Sequence, residues 1–366
     1  MLPESEINEI REHLNNTQNP LFLFDNDVDG FCSFLLFRRY IGRGNGVAIR
    51  SYPELNKSYM RKIDELKPDY VFILDKPVVS MEFIDEIKQR NIPIVWIDHH
   101  ESPYPLHAHS IGHRSSIEDR ASEIDYEGIN YYNPLKYNEN FPVTYLAYNV
   151  VNNKRDLWIG VLGCIADIYK PEFMNEFNKQ YPELACNNND PFYCIYETEL
   201  GKAIRIIDFA LKDKTSNVTK MIRYAYKMNS PYDILKENKD NYTIIKRFNE
   251  IDKKYQKLIK KALEHVEGDL IFFTYGGEFS ISANISNELV YRYPDKLIVV
   301  AYLKDNKINI SLRWRNNDVR KLTAKVLEGL EGASGGGHEH ATGAQILVKD
   351  LDEFKRRVAE YLRENR

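Results

Sequence analysis

Three apolar runs in this chain each end on an aspartate. Leu21-Phe22-Leu23-Phe24 leads into Asp25-Asn26-Asp27-Val28-Asp29-Gly30, Tyr70-Val71-Phe72-Ile73-Leu74 into Asp75, and Ile94-Val95-Trp96-Ile97 into Asp98-His99-His100. Carboxylates and imidazoles gathered in one place make a hard-metal site, and such a site points to metal-assisted phosphoryl chemistry. The runs themselves supply the means of gathering them. Short stretches rich in β-branched and aromatic residues read as buried strands of a parallel sheet, and open α/β sheets bind ligands beyond the carboxyl ends of their strands.

The rest of the chain supports that frame. Residues 5–16 read as an amphipathic helix, and residues 31–39 as a helix opening at Gly30. Strand and helix then alternate up to Asp98, as a doubly wound α/β unit requires. Residues 107–140 are polar and loop-rich, and their histidines, His107, His109 and His113, read as exposed. Helical periodicity returns over 143–151 and 156–168, with Asp156 as N-cap and Asp167 just ahead of the helix-stopping Pro171. Mainly helical segments run from 182 to 267, and residues 249–267 read as a long exposed helix. From Asp269 a second α/β unit begins, with strands over 270–275, 297–302 and 308–314, a helix over 318–330, a strand over 344–348 and a terminal helix from about 351. The expected organisation is a catalytic α/β domain over 1–200, a helical connector over 201–268 and a smaller α/β domain over 269–366.

Composition narrows the class. A chain of 366 residues with 43% hydrophobic and 28% charged residues is ordinary for a globular protein of two domains. No apolar stretch approaches the roughly 20 residues of a membrane span, and the acidic, polar N-terminus reads as no signal peptide. The expected location is the cytoplasm, without a membrane partner. There Cys186 and Cys194 are expected to stay free, and Cys32 and Cys164 to be buried thiols. A net charge of −4 does not announce a nucleic-acid binder, although part of that acidity belongs to the metal site. The late lysines Lys253, Lys254, Lys257, Lys260 and Lys261 read as a solvated helix face. Arg313, Arg315 and Arg320 are harder to set aside, because they lie near a glycine run.

Two motifs have rival readings. Asp25-Asn26-Asp27-Val28-Asp29-Gly30 also fits the start of an EF-hand loop, but Leu36 stands where that loop needs its twelfth-position glutamate. In Ser334-Gly335-Gly336-Gly337-His338, glycines let backbone N–H groups crowd around an anion, and His338 adds a donor. The alternative is a linker, but the run lies between a helix and a strand within one domain.

In order and spacing these motifs resemble the DHH phosphoesterase superfamily, and most closely its RecJ-like branch, in particular archaeal RecJ-like exonucleases. Asp27 and Asp29 match the first motif, Asp75 the second, Asp98-His99-His100 the third, and Asp167, in Gly163-Cys164-Ile165-Ala166-Asp167, the fourth. The glycine run resembles that of the associated C-terminal substrate domain. The resemblance implies two metal ions, with Asp27 on one, Asp29 on the other and Asp75 bridging, as the catalytic hub. His99 and Asp167 complete the second ion's ligands. Asp25 either ligands the first ion, replacing a histidine of other branches, or supports a ligand. His100 contacts the substrate phosphate. Ser311, Arg313, Ser334, Gly335, Gly336, Gly337 and His338 bind substrate. A shell of carboxylates and imidazole without thiolate favours Mn2+, with Mg2+ as the alternative.

The function this implies is a manganese-dependent exonuclease on single-stranded DNA or RNA, in repair or replication, with a helicase or replication protein as a conceivable partner. The competing readings are a phosphodiesterase for short oligoribonucleotides or cyclic dinucleotides, and a catalytically dead replication scaffold. Cleavage polarity, nucleic-acid preference and oligomeric state are not legible in the sequence.

Overall fold

The apolar runs ending on aspartates form strands side by side. The computed structural model describes residues 1–50, 54–101 and 128–364, so His107, His109 and His113 lie outside the described residues. The chain divides into two units, one comprising residues 1–211 and 215–240, the other residues 212–214 and 241–366.

The first unit runs α1 (Glu4–Asn16), β1 (Pro20–Asp25), α2 (Val28–Ile41), β2 (Asn45–Ile49), α3 (Met60–Leu66), β3 (Tyr70–Leu74), α4 (Met81–Gln89), β4 (Ile94–Ile97) and β5 (Ile129–Tyr132). Helices follow: α5 (Val143–Val151), α6 (Leu157–Ala166), α7 (Met174–Gln180), α8 (Pro191–Glu197), α9 (Glu199–Leu211), α10 (Thr215–Ala225) and α11 (Tyr232–Leu235). Its five strands are all parallel, in the order β2-β1-β3-β4-β5. Both faces are apolar, as the unbroken hydrophobic runs demand. Leu21, Leu23, Val71, Ile73, Ile94 and Trp96 pack with α3 and α4, while Phe22 and Phe24 of the opposite face meet Phe34 of α2 at 5.6 and 4.9 Å. The order reverses between β1 and β3, which makes their carboxyl ends the switch point where such sheets open a crevice.

The second unit runs α12 (Tyr242–Leu263), β6 (Val266–Glu267), β7 (Leu270–Gly276), α13 (Ser282–Arg292), β8 (Leu297–Lys304), β9 (Lys307–Arg313), α14 (Val319–Leu327), β10 (Ser334–His338), β11 (Ala341–Leu347) and α15 (Leu351–Glu364). Its six-stranded sheet has the order β10-β11-β9-β8-β7-β6, with only the β7–β8 pair parallel. Ile308, Ile310 and Leu312 of β9 join the core beneath α14 and α15, and Trp314 packs against that same core.

Several expectations change in detail. The stretch 201–268 forms no third unit: α9 to α11 belong to the first unit and α12 to the second. The lysines of α12 do lie on an exposed face, opposite buried Ile251, Tyr255 and Ile259. Cys186 and Cys194 are joined in a disulfide rather than free. Asn178 fixes the Cys186 backbone through both its carbonyl and its amide, and the Cα atoms come to 5.6 Å, within disulfide reach. Cys32 and Cys164 are buried thiols. Asp156 precedes α6 but does not cap it with its side chain, because Arg39 takes that carboxylate at 2.8 Å.

Candidate metal centre

The β-ladder aligns the three aspartate motifs. Phe24 pairs with Leu74 and Leu74 with Ile97, so the next residues along, Asp25, Asp75 and Asp98, lie in one row across three adjacent strand ends. The ladder continues past the strands, with the Asp75 amide donating to Ile97 O at 2.9 Å and that of Asp98 to Tyr132 O at 3.1 Å.

Helix α2 starts at Val28, ahead of the expected start at residue 31, and this places the first motif. Asp27 caps the helix by accepting from Gly30 N at 2.9 Å. Asp29 is therefore in the first turn, facing inward and 3% exposed. Its two carboxylate oxygens accept the amides of Val143 and Thr144 at the start of α5, both at 2.8 Å. Gly30 is needed for close approach rather than for turning: a Cβ there would lie 2.8 Å from the backbone N and O of Asp25.

Asp75 sits at the centre. It is 1% exposed, and among the described residues its Oδ1 has no hydrogen-bond partner. Burial, and then the charges of Asp27, Asp29, Asp25 and Asp167, push its carboxyl well above the ordinary carboxylate range. His99 Nε2 lies 3.4 Å from that Oδ1 and 3.7 Å from Asp167 Oδ2. Ligand atoms of Asp29, His99 and Asp167 all fall within 4.8 Å of one another, as do those of Asp75, Asp98 and His100. Burial also raises Asp167, with the charges of Asp29 and Asp27 adding to it. It raises Asp29 to about 6 despite the hydrogen bonds from Thr144 and Val143. Two non-glycine residues of the site have left-handed backbones, Asp75 at φ 57° and Ile168, beside Asp167, at φ 59°. A β-branched residue in that region is strained by about 1–3 kcal/mol.

A buried carboxylate oxygen without a donor, surrounded by like charges, is costly unless a cation joins it. The residues fit divalent ions: Asp27, Asp29, Asp75, His99 and Asp167 present oxygen and imidazole donors and no thiolate.

His100 stands apart in role. Its Nδ1 lies 2.9 Å from Asp98 Oδ1, and Asn133 Nδ2 holds its carbonyl at 3.0 Å. Burial pushes the imidazole down, but the charge and hydrogen bond of Asp98, together with the charges of Asp167 and Asp25, outweigh it and raise His100 to about 9. A cationic ring beside the carboxylates suits a phosphate better than a metal. The sequence pattern assigns Asp98 no role of its own; an ionisable residue ending a fully buried strand two positions before His100 was the available signal. Lys76 carries no signal in the sequence. It is 4% exposed, and its Nζ pairs with Asp25 Oδ1 at 3.0 Å.

In the second unit, the glycine run is an edge β-strand rather than a linker. Register places Ser311 opposite Gly343 and Gly343 opposite Gly336, and places Arg313 opposite Ala341 and Ala341 opposite His338. Ser311 and Gly336 thus share one row of the ladder and Arg313 and His338 another, with Gly343, which the motifs do not point to, bare between Ser311 and Gly336. Ser311 Oγ donates to Ser282 Oγ at 2.9 Å, and Arg313 Nε to Asn287 Oδ1 at 2.6 Å, so α13 braces both. A Cβ on Gly335 would lie 2.5 Å from the Leu327 side chain. His340 turns the hairpin and sets its Nδ1 3.1 Å from Asn317 O.

Family comparisons agree with this division. A model of the DHH family, N-terminal domain, matches residues 21–147, and one of the DHHA1 domain matches residues 267–364. The chain belongs to the DHH phosphoesterase superfamily. It is RecJ-like in fold, and by family a metal-dependent phosphodiesterase of the hydrolase class. No curated protein matches it in sequence. Among solved structures, the DHH domain of a "Member of s1p family of ribosomal proteins" superposes with TM-score 0.68 at 18% identity, covering 98% of this chain and 90% of that one. RecJ from Thermus thermophilus in complex with Mn2+ gives 0.66 at 11% identity over 98% of this chain. The chain spans 54% of that RecJ. An exonuclease RecJ bound to manganese gives 0.61 at 11% identity, covering 98% and 95%. At these identities the likeness is one of fold. Among the described residues, no helix is long and apolar enough to cross a membrane.

Proposed function

We propose that this chain is a manganese-dependent exonuclease that hydrolyses phosphodiester bonds of single-stranded nucleic acid. The observation that carries the reading is Asp75: a buried carboxylate with one oxygen lacking a donor, at the switch point of a parallel sheet and surrounded by four further carboxylates. Asp27 and Asp75 would hold one ion, and Asp29, Asp75, His99 and Asp167 the other. Two ions would neutralise charge on the phosphoryl group and activate water. His100 donates to the scissile phosphate. Asp98 fixes the ring's orientation and keeps it cationic. In the second unit Arg313 offers a guanidinium suited to bidentate phosphate binding, and the glycine edge strand lets a nucleotide backbone approach closely.

Manganese rather than magnesium is favoured by the imidazole of His99. The fold shared with manganese-bound RecJ supports the substrate class, and repair or replication is the process we assign, with a helicase or replication protein as partner. Every residue mapped to a metal is present, which speaks against a purely scaffolding role. The test is digestion of single-stranded DNA and RNA, labelled at either end, with manganese, with magnesium and with excess chelator, beside a dinucleotide control. Stepwise loss of mononucleotides from one end supports the proposal. Cleavage of the dinucleotide alone would replace it with a short-oligonucleotide phosphodiesterase, and inertness towards all of them with a scaffold.

A further inference from the structure

Lys76 directly follows Asp75 and lies inside the carboxylate cluster. Burying an ammonium costs several kcal/mol unless it is well paired. Here the pairing is specific: Nζ meets Asp25 Oδ1 at 3.0 Å, with the lysine side chain 5% exposed and that of Asp25 31%. The backbone is fixed as well, because the buried indole Nε1 of Trp96 donates to Lys76 O at 2.9 Å. Asp25 stands in the row that also contains Asp75 and Asp98, and Lys76 lies one residue beyond that row on the neighbouring strand end.

Charge balance gives the pair a meaning. Asp98 is committed to His100. The carboxylates of Asp25, Asp27, Asp29, Asp75 and Asp167 remain. Two divalent ions neutralise four of these charges, and the Lys76 ammonium meets the fifth, at Asp25. We propose that Lys76 is a positioning residue that holds Asp25 out of the metal shell, so that the first ion keeps open positions for a phosphodiester. This rests on the two-ion reading above. It also resolves the alternatives left open for Asp25, in favour of support rather than ligation.

Removing the lysine's charge while keeping its bulk should free Asp25 to join the ion. In Lys76→Met, manganese titration followed by electron paramagnetic resonance should show the weaker site tightening on the order of tenfold, about 1.4 kcal/mol. KM for single-stranded oligonucleotide should rise by a similar factor, because the site carries one more uncompensated negative charge. Lys76→Arg should keep manganese affinity near wild type. Asp25→Asn in the wild-type background should change manganese affinity less than about threefold, and in the Lys76→Met background it should cancel the gain. Thermal melts establish that each variant is folded. Should Lys76→Met not fold, Asp25→Asn alone decides.

Two results would overturn the inference. One is an Asp25→Asn protein that loses manganese as severely as Asp27→Asn does, which makes Asp25 a ligand. The other is a folded Lys76→Met protein with unchanged manganese affinity, which makes the lysine a purely structural ion pair. A wild-type protein that binds no manganese would instead sink the metal reading on which the inference rests.

Discussion

The two units meet charge in opposite ways. The first concentrates carboxylates at the ends of buried strands and leaves Asp75 Oδ1 without a donor, so that its site is incomplete until cations arrive. The second presents Arg313 already bonded to Asn287, Leu312 O and Thr342 O, beside glycines whose chemistry lies in what they lack. One unit stores electrostatic strain and the other offers a satisfied surface. Damage to the first should therefore abolish turnover, and damage to the second should weaken binding by degrees.

The largest expected effect is at the centre of the strained site. Asp75→Ala should lower activity by at least about a thousandfold, since a two-metal site supplies several kcal/mol of barrier reduction. The fold should survive, because removing the carboxylate relieves repulsion from four neighbours. Manganese-supported hydrolysis and circular dichroism measured on the same preparation check both halves. More than about a tenth of wild-type turnover would remove Asp75 from the centre of the mechanism.

Next comes metal dependence, with its pH sign. Asp29 is raised to about 6 from 3.8, and burial raises Asp75 and Asp167 well above that same ordinary value of 3.8. A carboxyl raised in the folded state stabilises the fold below its unfolded value, and that contribution is lost as pH rises through the folded value. The metal-free protein should thus melt at lower temperature as pH climbs from about 4 through 6 and above. Manganese binding needs the ionised carboxylates and should strengthen over the same range. Melting curves with and without manganese should show the metal's increment widening with pH, and a constant increment would mean that these groups do not give up protons to the metal. Activity should vanish in excess chelator and be lower with magnesium than with manganese.

A smaller effect is steric. Gly30→Ala would place a methyl group 2.8 Å from the Asp25 backbone. Overpacking of this kind costs about 1–3 kcal/mol, and chemical denaturation should register it together with weakened manganese binding. A fully stable Gly30→Ala protein would show that the first motif has room to spare.

The smallest effect belongs to the satisfied surface. Arg313→Ala should weaken single-strand binding by about 1–3 kcal/mol, the range for a charge-assisted hydrogen bond removed from a phosphate site. It should leave manganese affinity unchanged, since Arg313 is not among the residues assigned to the two ions. Single-turnover kinetics over a range of enzyme concentrations separate binding from cleavage. Normal affinity for single strands would remove the contrast between the units.

The sequence by itself determined the strands and the chemistry at their ends. An uninterrupted apolar run such as Ile94-Val95-Trp96-Ile97 is stable only when buried on both faces, and an aspartate directly after it must then stand at a strand end. Local pattern also carried β7, β8, β9 and α15 close to their observed bounds. What it could not supply was whatever depends on partners distant in the chain. The residues that hold Asp29, Val143 and Thr144, lie 114 and 115 positions away. Lys76 looks like a surface lysine until the alignment of β1 with β3 puts Asp25 against it. The glycine run became an edge strand because β11 offered it a backbone ladder, and a run without side chains carries no period from which a strand can be read. Cys186 and Cys194 joined because Asn178, α8 and the intervening turn brought their Cα atoms within reach, a distance that spacing alone leaves open. Hydrophobic period is a local property and is written in the chain. Which charges meet is set by strand order and register, and those exist only once the sheet has formed.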